Sequence, residues 1–243
     1  MKKIPILMYH NIAPAPRSKR LSSLYVHPHS FAWQMRLLSL LGYKGLAIHD
    51  LVPYLRGEKE GKVVGISFDD GYLDNYTEAL PVLQKFGFTA SCYLVSGLLG
   101  RSNLWAVGQD VQESPLMSTP QVRSWLDAGM SIGSHTHSHA HLCRIEPTLA
   151  AREIEESKAF LETSFQCPIS DFCYPYGEFD AETIRLVRDA GYSTAVTTQR
   201  LRAKVGDDLH TLPRVHVTRR VTPPLFLAKL LTGYEDKHRE AHA

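Results

Sequence analysis

The chain predicts an α/β fold wound on a parallel sheet. Two patterns predict it: short β-branched or apolar runs alternate with helical stretches, and three polar clusters each follow directly on an apolar run. Such alternation calls for right-handed crossovers between parallel strands. Side chains that follow the strands then gather at one end of the sheet, where barrel enzymes build their sites. With 243 residues, 44% of them hydrophobic, the chain can bury a substantial core, and one α/β barrel commonly reaches this size undivided.

Strands are expected over 4–9, 45–48, 63–68, 89–95, 130–134, 169–174, 192–197 and 211–217. Helices are expected over 31–41 and 74–86, closed by Gly42 and Gly87, and over 120–128, with Ser118 or Thr119 as cap and Pro120 in the first turn. Three more follow over 147–164, over 180–190 with Gly191 as its stop, and over 223–232. Segments 11–30 and 96–118 read as long loops, which usually shape substrate access. No internal repeat or Pro/Gly/Ser linker divides the chain, so one domain is expected over 1–233, with 234–243 a charged, frayed tail.

A formal charge of +2 without a long basic run argues against nucleic acid as a partner. No stretch approaches the ~20 apolar residues that span a bilayer. The start, Met1-Lys2-Lys3 followed by Ile4-Pro5-Ile6-Leu7-Met8-Tyr9-His10, imitates a signal peptide, but its apolar run is too short and no small-residue cleavage site follows. It reads as the first strand, and the expected location is cytoplasmic or membrane-peripheral. The cysteines at 92, 143, 167 and 173 lack Cys-x-x-Cys spacing and read as free thiols of a reducing compartment.

The chemistry lies in the clusters. Ser67-Phe68-Asp69-Asp70-Gly71 follows the apolar run Val63-Val64-Gly65-Ile66, and His135-Thr136-His137-Ser138-His139 follows Met130-Ser131-Ile132-Gly133. A lone Asp-Asp-Gly is usually a turn, and a histidine-rich loop is often merely solvated. Together at strand ends they read as a hydrolytic metal site. One carboxylate and two imidazoles hold a divalent ion with positions left open for water. Adjacent side chains at a strand end point apart, so one aspartate can ligate while its neighbour serves as general base. Histidines stand at 135, 137, 139 and 141, so the spacing alone allows either 135/139 or 137/141.

These motifs resemble the polysaccharide deacetylases with a NodB homology domain, carbohydrate esterase family 4. Ser67 to Gly71 matches Thr-Phe-Asp-Asp-Gly apart from Ser67. Of the histidine pairs, only His135/His139, with Thr136 next and Leu142 three residues past His139, fits His-Ser/Thr-x-x-His-x-x-Leu. The resemblance, covering about 4–217, implies a distorted, seven-stranded (β/α) barrel. It further implies Asp70, His135 and His139 as metal ligands and Asp69 as the base. Phe172-Cys173-Tyr174-Pro175-Tyr176-Gly177 is similar to the family's Arg-x-Pro-Tyr-Gly, which implies that the backbone N–H of Tyr176 supports the oxyanion.

The departures carry their own expectations. Cys173 stands where the family has an arginine that braces the aspartate, and Asp207-Asp208 lead into Leu209 where an Asp-Trp pair belongs. Leu212-Pro213-Arg214-Val215-His216-Val217 approximates the motif of the general acid. Read as a strand, it puts Leu212, Arg214 and His216 on one face, so Arg214 can replace the missing arginine and His216 is expected as the acid, protonated through nearby carboxylates. His10, ending the first strand, is expected near substrate, and Trp105 is a candidate to stack on a sugar ring.

The reading is therefore a metal-dependent hydrolase that removes N-acetyl groups from a sugar or glycan. It uses one divalent ion, zinc first, with cobalt, nickel or iron also suited to the donors. Alternatives on the same residues are an O-acetyl esterase, a non-sugar C–N hydrolase, or a glycan-binding module that has lost catalysis. Intact Asp69 argues against the last.

Overall fold

A computed structural model describes residues 3–17 and 19–236. In chain order the strands are β1 (Lys3–Ile4), β2 (Ile6–Tyr9), β3 (Lys44–Leu46), β4 (Val63–Phe68), β5 (Ser91–Leu94), β6 (Ser131–Ser134), β7 (Asp171–Cys173), β8 (Thr194–Arg200), β9 (Ala203–Lys204) and β10 (Leu212–His216). The helices are α1 (Pro28–Leu40), α2 (Ile48–Leu55), α3 (Leu80–Phe86), α4 (Thr119–Asp127), α5 (Pro147–Phe165), α6 (Ala181–Asp189) and α7 (Pro223–Leu231).

Seven parallel strands close a barrel in the order β2, β4, β5, β6, β7, β8, β10 and back to β2. β3 is an eighth member, wedged beside the start of β4 at Val63 to Gly65, while β5 takes the end of the same edge at Ser67 and Phe68. The period-two alternation of the strands sets the two faces. Ile6, Tyr93, Cys173, Val196 and Leu212 are buried in one apolar cluster, and Leu7, Leu94, Phe172, Ala195 and Val215, an odd number of positions away on the same strands, in the other.

Most expected elements differ from the structure only at their ends. The expected strand 4–9 is interrupted at Pro5, which has no N–H for a ladder; its carbonyl accepts from Gly65 N at 2.9 Å, and β1 pairs instead with β9. Met1 and Lys2 of that run lie outside the described residues. The expected strand 45–48 ends at Leu46, because Ile48 opens the unforeseen α2. That helix packs Ile48 and Leu51 where a Cβ on Gly65 would meet both at 3.2 and 3.1 Å. The expected helix 74–86 opens as a wide π-turn over Asn75–Ala79, since Pro81 has no N–H to offer one turn back.

Residues 234–236, at the start of the expected tail, make side-chain contacts with the rest of the chain. Glu235 is buried against Lys229 and Arg200, and Asp236 pairs with Lys3 at 2.7 Å and Arg202 at 2.6 Å. Local cations neutralise the two acidic groups and dock the segment. Residues 237–243 lie outside the described set. No helix among the described residues is long and apolar enough to cross a membrane, and the four cysteines are free.

Candidate active site

The end of β4 delivers both aspartates. Asp70 takes a left-handed backbone, φ 75°, followed by Gly71 at φ 75°, so the chain turns sharply and the two carboxylates diverge. Asp70 Oδ1 lies 3.3 Å from Nε2 of both His135 and His139. The three side chains are buried, and their candidate ligating atoms fall within 4.8 Å of one another. Two imidazoles and a carboxylate converging so closely fit a divalent ion. Burial works against the charge on Asp70, and hydrogen bonds from His135 and His139 more than offset it, holding its carboxyl well below the ordinary value.

The histidine segment leaves the strand conformation immediately after β6. Thr136 and His139 both have φ 65°, and the intervening turn is pinned by Glu153 of α5. The Glu153 carboxylate accepts from the backbone N–H of His137 at 3.0 Å and of Ser138 at 2.8 Å. This turn separates histidines that a strand would have aligned. His137 faces Ser96 at 3.2 Å, and His141 pairs with Glu178 at 3.0 Å. His135 donates from Nδ1 to the Cys173 carbonyl at 2.8 Å, so Nε2, the nitrogen facing Asp70, can ligate a metal once it gives up its proton.

His139 is oriented differently. Its Nδ1 has no hydrogen-bond partner among the described residues. Aromatic rings enclose it: Trp105 stacks at 4.5 Å and 21° between planes, and Tyr176 meets it edge-on at 4.5 Å. Trp105, a candidate for stacking on a sugar although loop packing is the commoner role of such a ring, has one face on a ligand candidate and lines the cavity.

Asp69 receives its partner from the far end of the chain. Arg214, fully buried on β10, donates from Nη1 to Oδ1 at 2.6 Å and from Nη2 to Oδ2 at 2.8 Å. Its remaining donors reach the Thr197 carbonyl, Ser67 Oγ and Cys173 Sγ, so the guanidinium occupies the place beside Cys173. Burial alone would raise the Asp69 carboxyl; the charges of Arg214 and His10 outweigh it and hold the carboxyl below its ordinary value. His10 Nε2 stands 3.8 Å from Asp69 Oδ2.

His216 lines the same cavity but differs from expectation in its charge. Nε2 donates to the Thr198 carbonyl at 2.7 Å, and burial, with Arg214 and Arg200 nearby, pushes the imidazole down to about 4. It is neutral at ordinary pH, because buried surroundings and cations outweigh the carboxylates invoked for it. Asp207 and Asp208 stand away from this cavity: Asp208 pairs with Arg188 at 2.6 Å, and Asp207 accepts from Lys204 N at 2.9 Å.

Tyr176 has φ 60° and ψ 0°, with its ring stacked on His141 at 3.6 Å. Gly177 permits this geometry. It has φ 70°, and a Cβ there would fall 1.9 Å from Thr198 Oγ1, so no larger residue fits. Leu21, Asp70, His139 and Tyr176 are thus four non-glycine residues with positive φ lining one cavity, the clustering of backbone strain found at functional sites. The cavity has a volume of about 280 Å³ and also reaches Met8, Tyr72 and Tyr174. Sequence reasoning left out the enclosing wall from the two long loops, where Leu21, Leu24 and Tyr25 meet Asn103, Ala106 and Val111.

Comparison with known proteins agrees with this geometry. A polysaccharide deacetylase family profile matches residues 56–195. The Bacillus subtilis protein YxkH is 31% identical over 218 residues, covering 89% of this chain and 72% of that protein. The poly-beta-1,6-N-acetyl-D-glucosamine N-deacetylase of Staphylococcus epidermidis is 24% identical over 211 residues, 83% of this chain and 71% of its own. Among solved structures, the Streptococcus pyogenes deacetylase PplD in complex with acetate superposes with a TM-score of 0.82 at 26% identity, over 94% of this chain and 98% of that one. Barrel, ligand cluster and sequence relatives coincide, and the chain belongs to the polysaccharide deacetylase family, carbohydrate esterase family 4 with its NodB homology domain.

Proposed function

We propose that this protein is a metal-dependent deacetylase that hydrolyses the acetamide of an N-acetylated sugar or glycan. The observation that carries the reading is the adjacency of two differently held carboxylates, Asp70 between His135 and His139 and Asp69 on Arg214. When bound at Asp70, His135 and His139, a divalent ion, zinc in our reading, supplies Lewis acidity and lowers the pKa of water. The acetate held by the related PplD structure and the substrate named for the staphylococcal relative support an acetylated sugar.

The residues of the chain divide the remaining work. Asp69, ionised by its guanidinium partner, accepts the proton of the attacking water. As the acetyl carbon becomes tetrahedral, its oxygen accepts a hydrogen bond from the backbone N–H of Tyr176, a fixed donor of the kind that contributes ~3 kcal/mol. The C–N bond breaks when the nitrogen gains a proton, leaving acetate and a free amine. His216 starts neutral, so it serves as the acid only by relaying a proton released from the water; His10, beside Asp69, is the neighbouring imidazole. The free cysteines support action in a reducing compartment.

Acetate release from acetylated chito-oligosaccharides, with Zn²⁺, Co²⁺ or Ni²⁺ added, tests the reading. Protein verified to contain metal should release acetate and expose amines in equal amounts. Its failure on every N-acetylated sugar would overturn the proposal.

A further inference from the structure

The long loops at the mouth build a wall whose chemistry is poorly matched to sugar hydroxyls. The first loop follows β2 and the second follows β5, on either side of β4, and they join above Asp69 and Asp70. Arg20 N donates to the Asp110 carbonyl at 3.0 Å, Lys19 pairs with Asp110 at 2.7 Å, and Tyr25 Oη meets Ser114 Oγ at 2.9 Å. The joined loops present Leu21, Leu24, Ala106 and Val111 to the cavity. Leu21, 47% exposed, carries this apolar strip to the cavity mouth, and Leu104 and Val107, 43% and 71% exposed, flank the lining residues Trp105 and Ala106 in sequence.

The polar side chains on this wall already have protein partners. Asn11 donates to Asp74 at 3.0 Å, Asn103 donates to the Gln112 carbonyl while accepting from Ser114 N, and Gln109 donates to the Trp105 carbonyl. No lysine or arginine among the described residues lines the cavity. Ligand sites fix orientation with a few convergent polar groups; on this wall such groups hold the loops together and leave an apolar surface. Because Leu21, Leu24 and Val111 line the same cavity as Asp69 and Asp70, an occupant of this strip is part of the substrate.

We propose that the substrate is an amphiphilic N-acetyl glycoside whose aliphatic aglycone lies against Leu21, Leu24 and Val111 and leaves the cavity past Leu21. This rests on the deacetylase reading and names its substrate class. The apolar strip selects an uncharged chain next to the sugar, whereas a long hydrophilic polymer would leave it wet.

Calorimetric titration of the metal-loaded protein with methyl and octyl β-glycosides of N-acetylglucosamine, the octyl compound below its micellar concentration, provides the test. Each fully buried methylene is worth a factor of about four, so partial burial of the chain should tighten binding of the octyl glycoside by at least about 10-fold. Leu21→Asn and Val111→Asn, at positions not fully buried, should move the octyl-to-methyl ratio toward one. Equal affinities in the wild type, or a ratio unaffected by either substitution, would overturn the inference. Acetate release from the methyl glycoside is read separately. Its absence from every N-acetyl sugar counts against the deacetylase reading, while the affinity ratio still decides the aglycone.

Discussion

Arg214 grips both oxygens of Asp69 from 145 residues away, at 2.6 and 2.8 Å, with neither group reaching solvent to any extent that could screen the pair. Five N–H donors of one guanidinium meet five acceptors, and one of these is the Cys173 thiol. A lysine could not reproduce that fork. The pair therefore fixes the direction of Asp69 as well as its charge.

Arg214→Ala should lower kcat and move the acidic limb of the pH–rate profile upward. Asp69 is depressed in the folded protein, so its contribution to stability is complete above the unfolded-state value and is lost as pH falls through the folded one. With the guanidinium removed, burial dominates and the carboxyl rises. Breaking one side of a buried pair costs about 3–5 kcal/mol, which denaturant melts would detect. An unaltered pH profile in a folded variant would contradict this role.

The two aspartates should separate by metal content. Asp70→Asn and His135→Ala should lose metal and activity together. Asp69→Asn should keep its metal and lose about 10²–10⁴-fold in rate, the usual worth of a general base. Elemental analysis beside acetate release reads both, and an empty Asp69→Asn with a full Asp70→Asn would reverse the assignment.

His216→Ala should discriminate between leaving groups. An acetamide expels a poor leaving group and should suffer heavily, whereas an activated aryl acetate needs little protonation and should be cleaved nearly as fast as by the wild type. Equal losses on both substrates, with metal retained, would return His216 to a positioning role through Thr198.

Trp105→Ala should weaken metal binding by about 10-fold or more, comparable with loss of an outer partner of a ligating histidine. The Trp105 ring covers an imidazole that has no hydrogen bond on Nδ1 among the described residues. Trp105→Phe, which keeps a planar ring, should recover most of the affinity in a chelator-competition titration. A Trp105→Ala protein with wild-type affinity would show the stack to be incidental.

The paired aspartates and the His135/His139 pair were legible because each motif is contiguous and follows a strand. The choice among four histidines was not legible from spacing, since it depends on positive φ at Thr136 and His139 and on a carboxylate from α5. α2 has buried residues at Ile48, Leu51 and Leu55, a helical signal, but it is short and carries Pro53 inside. The neutral state of His216 depends on a carbonyl of β8 and on cations distant in sequence. The Trp105 stack depends on the fold of a long loop, which local propensity does not determine.

The barrel closes only when β10 enters between β8 and β2. During synthesis, Asp70, His135 and His139 leave the ribosome well before Arg214, so a nascent chain has all three candidate ligands while Asp69 still lacks its partner. The charge pair thus awaits the last strand, and any product truncated before β10 would carry the metal-ligand motifs in a chain unable to complete it.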